Sequence, residues 1–117
     1  MAATIEAALN RFLTTCTLVV SAHDLLTKWR IQLKGGFILD IYFNDGNGKY
    51  SYTLSQGEKR VLGWDNAPHH SDLSSFPHHF HNADGSVVTS TLNGDPENDL
   101  EVVRLEIERF LKEMNYE

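Results

Sequence analysis

KWRIQLKGGFILDIYF, residues 28–43, alternates apolar and polar side chains on both sides of a glycine pair. Trp29, Ile31 and Leu33 fall on one side, and Lys28, Arg30, Gln32 and Lys34 on the other. A period of two is that of a strand with one buried face and one wet face. Gly35–Gly36 supplies a tight turn, and FILDIYF returns antiparallel beside its neighbour. The pattern extends in both directions. Upstream, CTLVVSAH (16–23) alternates loosely, with Cys16, Leu18, Val20 and Ala22 on one side. Downstream, NDGNG turns the chain into KYSYTL, and SQGE turns it into KRVLGWD (59–65). DGNGK has no following helix and no GK[ST] ending, so it is a turn and not a phosphate loop.

The two ends of the chain change period. In TIEAALNRFL (4–13), Ile5, Ala8, Leu9, Phe12 and Leu13 form one helical stripe, with Thr4 as N-cap. Near the C-terminus, Asp95 is an N-cap and Pro96 a first helical residue. Leu100, Val103, Ile107, Phe110 or Leu111, and Met114 then make the buried stripe, and Glu108–Lys112 an i,i+4 pair. These elements predict an α+β fold. An antiparallel meander of four to five strands carries the N- and C-terminal helices on one face and leaves a long His-rich loop, all in a single domain over residues 1–117.

Composition narrows the class. Of 117 residues, 41% are hydrophobic and 22% charged, an ordinary globular balance. One cysteine, Cys16, allows no intrachain disulfide and suits a reducing cytosol as a small buried hydrophobe. The opening residues lack a secretory signal pattern, and FLTTCTLVV is too short and too rich in Thr to span a bilayer. A soluble, cytoplasmic protein is expected. The net charge of −6 is unevenly spread. Residues 95–117 hold eight acids and three bases, −5, whereas residues 1–94 hold eight and seven, −1. The body can therefore still present a basic face to a polyanion.

The chemistry concentrates in WDNAPHHSDLSSFPHHFHN (64–82), which holds five of the six histidines: His69, His70, His78, His79 and His81. Pro68 and Pro77 block helix here, and a loop of this length in a small domain is usually functional. HHFHN could extend as a brief edge strand, setting His79 and His81 on one side and leaving an edge for a second copy of the chain. Three uses of the imidazoles compete. In acid–base chemistry, one His takes the 2′-hydroxyl proton of RNA and another protonates the leaving 5′-oxygen. Arg30, Lys59 or Arg60 would steady the phosphorane, and Asp65 would orient a ring. In metal chemistry, His79 and His81 with His70 or His69 as a third ligand, or with Asp65 or Asp72 joining them, would hold zinc or nickel and leave one position for water. Otherwise the rings bond backbone groups and shape a partner-binding surface, with the acidic last helix docking on a basic protein. Tyr50 and Tyr52 read as core residues and His23 as a surface residue.

WDNAPHH, a five-residue spacer and FPHHFH resemble the signature of the TumE family of small bacterial toxin–antitoxin proteins. The residues that carry the likeness are Asp65, Asn66, Ala67, Pro68, His69 and His70, then Phe76, Pro77, His78, His79 and His81. The element order is similar as well. Phe80 stands where that family tends to have Lys, and Gly63–Trp64 where an Arg often precedes the Asp. The resemblance implies a toxin with a helix-turn-helix antitoxin as partner. By analogy with the commonest toxin activity, it also implies RNA cleavage without a cofactor.

Overall fold

A computed structural model of the chain describes residues 3–116. Helix α1 (Ala3–Thr15) precedes strands β1 (Val19–Asp24), β2 (Trp29–Leu33), β3 (Phe37–Phe43), β4 (Tyr50–Gln56) and β5 (Lys59–Asp65). Two short strands follow, β6 (His79–His81) and β7 (Val87–Thr89), and helix α2 (Pro96–Glu113) closes the chain. All seven strands form one antiparallel sheet in chain order. The meander thus runs two strands beyond KRVLGWD. The His-rich loop is correspondingly shorter, because β6 interrupts it.

The alternation of residues 28–43 places the core. Ile31, Leu33, Phe37, Leu39 and Ile41 are buried together with Tyr52, Leu54, Leu62 and Trp64 from the same sheet face. Across from them lie Ala8, Leu9 and Phe12 of α1, and Leu100, Val103, Ile107 and Leu111 of α2. Each Val, Leu, Ile or Phe side chain among them contributes about 1.5–3 kcal/mol through its burial. The loop between β2 and β3 places Gly35 and Gly36 at φ 81° and 77°, a region that only glycine enters freely. A side chain at Gly35 would also strike the ring of Tyr116.

Helix α2 begins as expected. Asp95 accepts the Glu97 N–H, and Pro96 follows it. Asp99, fully buried, accepts the backbone N–H groups of Asn93 (3.0 Å) and Gly94 (2.8 Å), tying the preceding loop to the helix. The expected Thr4 cap of α1 lies outside the described side chains.

Several expectations need correction. Val20 is 65% exposed, because β1 carries a bulge there. Val19 and Ala22 both pair with inward residues of β2, so the extra residue turns outward. Met114 is half exposed, Leu111 holds the core position, and Phe110 packs at its margin. Glu108 pairs with Arg104 at 2.9 Å and not with Lys112. Finally, β6 is bonded to β5 on one side and β7 on the other, so it offers no free edge to a second copy.

Candidate functional site

The helices cover one face of the sheet; the histidines gather on the other. In β5, Trp64 faces the helices and packs on Phe80 with ring centroids 5.1 Å apart. Its neighbours Gly63 and Asp65 therefore face outward. Asp65 lies opposite His79 of β6, and Gly63 opposite His81. From this position one carboxylate reaches both rings. Asp65 Oδ1 is 2.9 Å from His79 Nε2, and Oδ2 is 3.2 Å from His81 Nε2. Asp65 also accepts the Ala67 N–H at 3.0 Å, which bends the loop away from β5. That loop brings His70 back over the pair, its ring edge-on to His79 (4.6 Å) and His81 (6.4 Å).

A second bulge supplies the cation. Leu54 pairs with Leu62, but Ser55 pairs with Arg60, so Val61 is the extra residue and Arg60 shares the outer face with Gly63. The stem of Arg60 crosses the space that a Gly63 side chain would need, 3.2 Å from its Cβ position. Its guanidinium then donates to His81 Nδ1 at 3.2 Å. Because a guanidinium only donates, His81 Nδ1 bears the lone pair and Nε2 carries the proton given to Asp65. Burial pushes the pKa of His81 down and the Arg60 charge adds to this, while Asp65 opposes both. His81 is a neutral ring held in one tautomer.

His79 is bound differently. It is buried, with Nε2 at Asp65 and Nδ1 at the Pro77 carbonyl, 3.2 Å away. Both nitrogens face acceptors, so two ring protons are needed to satisfy both contacts. His70 is half-buried, and no hydrogen bond holds its ring among the described residues.

The other sequence candidates lie elsewhere. His78 points to the helix side, where Nδ1 meets the Tyr50 hydroxyl at 2.8 Å and the two rings stack at 5.8 Å. His69 is exposed on the loop. Lys59 is exposed at the far end of β5, opposite Gln56. Arg30 forms a two-pronged bond to Asp40 (2.9 and 3.0 Å), which Lys28 joins at 3.0 Å. The basic stripe read along β2 is thereby partly neutralised. Phe80, at the Lys position of the resembled signature, lies on the sheet face opposite the cluster and leaves it untouched.

A metal-capable group is present, and it is Asp65, His79 and His81, with ligand atoms within 4.8 Å of one another; His70 is not in it. Carboxylate and imidazole suit zinc or nickel, and the Pro77 carbonyl behind His79 is the kind of outer partner a metal-bound ring uses. Arg60 opposes this use, because it holds the proton of His81 on the nitrogen that would face the ion.

A cavity of about 310 Å³ opens beside Asp65, bordered by Tyr42, Lys49 and Ser51. Lys49 and Tyr42 did not stand out in the sequence; only the sheet register brings them next to Asp65.

A family model described as Toxin TumE matches residues 7–115. The chain belongs to the TumE toxin family. It is thus a toxin, and a TumE toxin implies a cognate antitoxin. Nearly the whole chain lies within the match, including most of α1, all of α2 and the histidine cluster. No curated protein and no solved structure matches the chain. Among the described residues, no helix is long and apolar enough to cross a membrane.

Proposed function

We propose that this TumE toxin cleaves RNA without a metal, by transfer of the phosphoryl group to the neighbouring 2′-hydroxyl. The observation that carries the reading is the single carboxylate of Asp65 gripping His79 and His81 while His70 lies over both. His81 is the base. When a substrate phosphate draws Arg60 away, the lone pair on Nδ1 is freed and takes the 2′-hydroxyl proton. The 2′-oxygen then attacks phosphorus, and the bond to the 5′-oxygen breaks. His70, not tied to Asp65, donates its proton to that leaving oxygen. A 2′,3′-cyclic phosphate and a free 5′-hydroxyl result, and the two rings exchange their protons with water. Arg60 offsets the charge of the phosphorane. Asp65 and His79 hold His81 in place; His79 is a positioning residue.

The reading takes the partner to be a helix-turn-helix antitoxin and the compartment to be the cytosol, in keeping with the buried thiol of Cys16. It does not use a homodimer. The test is cleavage of single-stranded RNA by untagged protein in the presence of a chelator. Products should end in cyclic phosphate, and both His81→Ala and His70→Ala should stop the reaction. Cutting that survives both changes, or that vanishes with chelator and returns with zinc or nickel, removes the proposal.

The donor set Asp65, His79 and His81 supports a second reading, a metal-dependent hydrolase. The two disagree over Arg60. Arg60→Ala should weaken RNA cleavage if the guanidinium serves the phosphate. It should instead tighten zinc binding if the guanidinium only keeps His81 Nε2 protonated. Titration of both proteins with zinc, followed by calorimetry, separates the readings.

A further inference from the structure

We propose that the depression beside Asp65 is a nucleotide subsite, in which Tyr42 stacks on a base of single-stranded RNA and Lys49 holds the adjoining phosphate. The inference rests on the RNA reading above and gives that site a binding register. Tyr42, Ser51 and Asp65 are successive cross-strand partners in β3, β4 and β5, all on the outer face. Neighbouring strands are about 4.8 Å apart, so Tyr42 and Asp65 stand about 10 Å from each other. Only the short Ser51 side chain lies between them. This is why the sheet surface dips there, forming the cavity of about 310 Å³ with Asn66 and Ala67 as its far wall.

The polar groups of the depression decide what it can take. Asn66 is already spent on the fold: its Oδ1 accepts the Tyr50 N–H (3.0 Å) and its Nδ2 donates to the Gly48 carbonyl (2.9 Å). Asp65 is engaged by both histidines and by Ala67. The wall is therefore rigid, with few groups left to read a base edge. What remains is one aromatic face, the Ser51 hydroxyl and the ammonium of Lys49. Lys49 is exposed, and its ammonium has no ion-pair partner among the described residues. A ring and a free cation bind a nucleotide through its π-face and its phosphate, with little dependence on sequence. A base held in a duplex does not present that face, so the subsite selects single strands.

The second cation sets the direction. Lys49 lies just before β4, next to Ser51, whereas Arg60 lies opposite Ser55. Six strand residues separate Lys49 from Ser55, about 20 Å along the sheet. His81 and His70 lie between them on the same face. A strand of RNA anchored at Lys49 and Arg60 thus passes its scissile phosphate over the histidines, with the flanking base in the Tyr42 depression.

The test is binding of a short fluorescein-labelled 2′-O-methyl oligoribonucleotide to the full chain, read by anisotropy. This probe lacks the attacking hydroxyl and cannot be cut. Tyr42→Ala should weaken binding roughly tenfold and Tyr42→Phe should leave it near wild type, as base stacking requires. Lys49→Ala should weaken binding several-fold and flatten the salt dependence by about one phosphate. Because Lys49 is exposed, its variant reports on the subsite even if Tyr42→Ala folds poorly. Wild-type affinity in both alanine variants, or no binding of the probe by the wild type, overturns the subsite. A protein that binds through Tyr42 and Lys49 but cuts no RNA keeps the subsite and loses the ribonuclease reading. One that cuts RNA with unchanged binding in both variants does the reverse.

Discussion

Pro-His-His occurs twice, at 68–70 and at 77–79, and the two copies end in different surroundings. In the first, His69 is exposed and His70 lies over the cluster. In the second, His78 stacks on Tyr50 beneath the sheet, while His79 is buried against Asp65 above it. In each copy the second histidine joins the site and the first does not. The cause differs. At 77–79 it is strand geometry, since β6 begins at His79 and alternation sends His79 and His81 to one face. At 68–70 it is the turn held by Asp65 and Ala67 that aims His70. Identical tripeptides thus divide their two histidines in the same way, for different backbone reasons.

The largest effect that would break this comparison lies in catalysis. His70→Ala and His81→Ala should lower RNA cleavage by about 10²–10⁴-fold, the usual contribution of a positioned acid or base. His69→Ala should leave the rate within about twofold. A loss in His69→Ala as deep as that in His70→Ala would make the cluster as described irrelevant. Rates on a labelled single-stranded RNA decide the point.

The next effect is on stability. Tyr50 is buried and its hydroxyl meets His78, so His78→Ala should cost about 1–3 kcal/mol by leaving that hydroxyl without its partner. Cleavage per folded molecule should persist. Tyr52, stacked on Tyr50, is a built-in contrast: its hydroxyl is buried with no partner among the described residues. Tyr52→Phe should therefore be neutral or slightly stabilising. Urea denaturation of the two variants sharpens the distinction between the paired and unpaired sides of the cluster.

A smaller effect concerns pH. Burial and Arg60 both hold the pKa of His81 below the ordinary imidazole value. The unfolded chain then takes up the proton first as pH falls. The contribution of His81 to stability is full above about pH 6.5 and declines below it, until the lower folded value is passed. In Arg60→Ala one of the depressing causes is gone, while burial, the largest, stays. The acid limb of the cleavage profile should move part of the way up in pH. A downward move would contradict His81 as the base.

The smallest effect lies at the other end of the sheet. Arg30 holds the Asp40 carboxyl below its usual range, with Lys28 assisting. The pair is partly exposed, so Asp40→Asn should cost less than about 1 kcal/mol. That contribution is present above the ordinary carboxylate range and is lost as pH falls through the depressed value. Arg30→Ala should leave RNA cleavage unchanged, in contrast to Arg60→Ala.

Much of this was legible in the residue order. Alternation in 28–43, the glycine pair and the capped, striped helices specify strands, turn and covers, because burial of one face imposes a period on the chain. The concentration of histidines marked the region of the site, and the spacing of His79 and His81 already put both on one strand face. Neither β7 nor the extent of β6 could be read, since three-residue strands carry too little pattern. The cation was equally hidden. Arg30, Lys59 and Arg60 look alike in sequence, and only a bulge at Val61 and the bare Gly63 bring Arg60 to His81 while Asp40 captures Arg30.

The chain alone therefore determined how β2 to β5 follow one another and which side of each is apolar, since local periodicity and turn chemistry are written in neighbouring residues. Which imidazoles share a carboxylate, which faces Tyr50 and which cation stands free depend on register between distant strands. One residue of bulge reverses the face on which a side chain emerges, and that was decided only by the packed sheet.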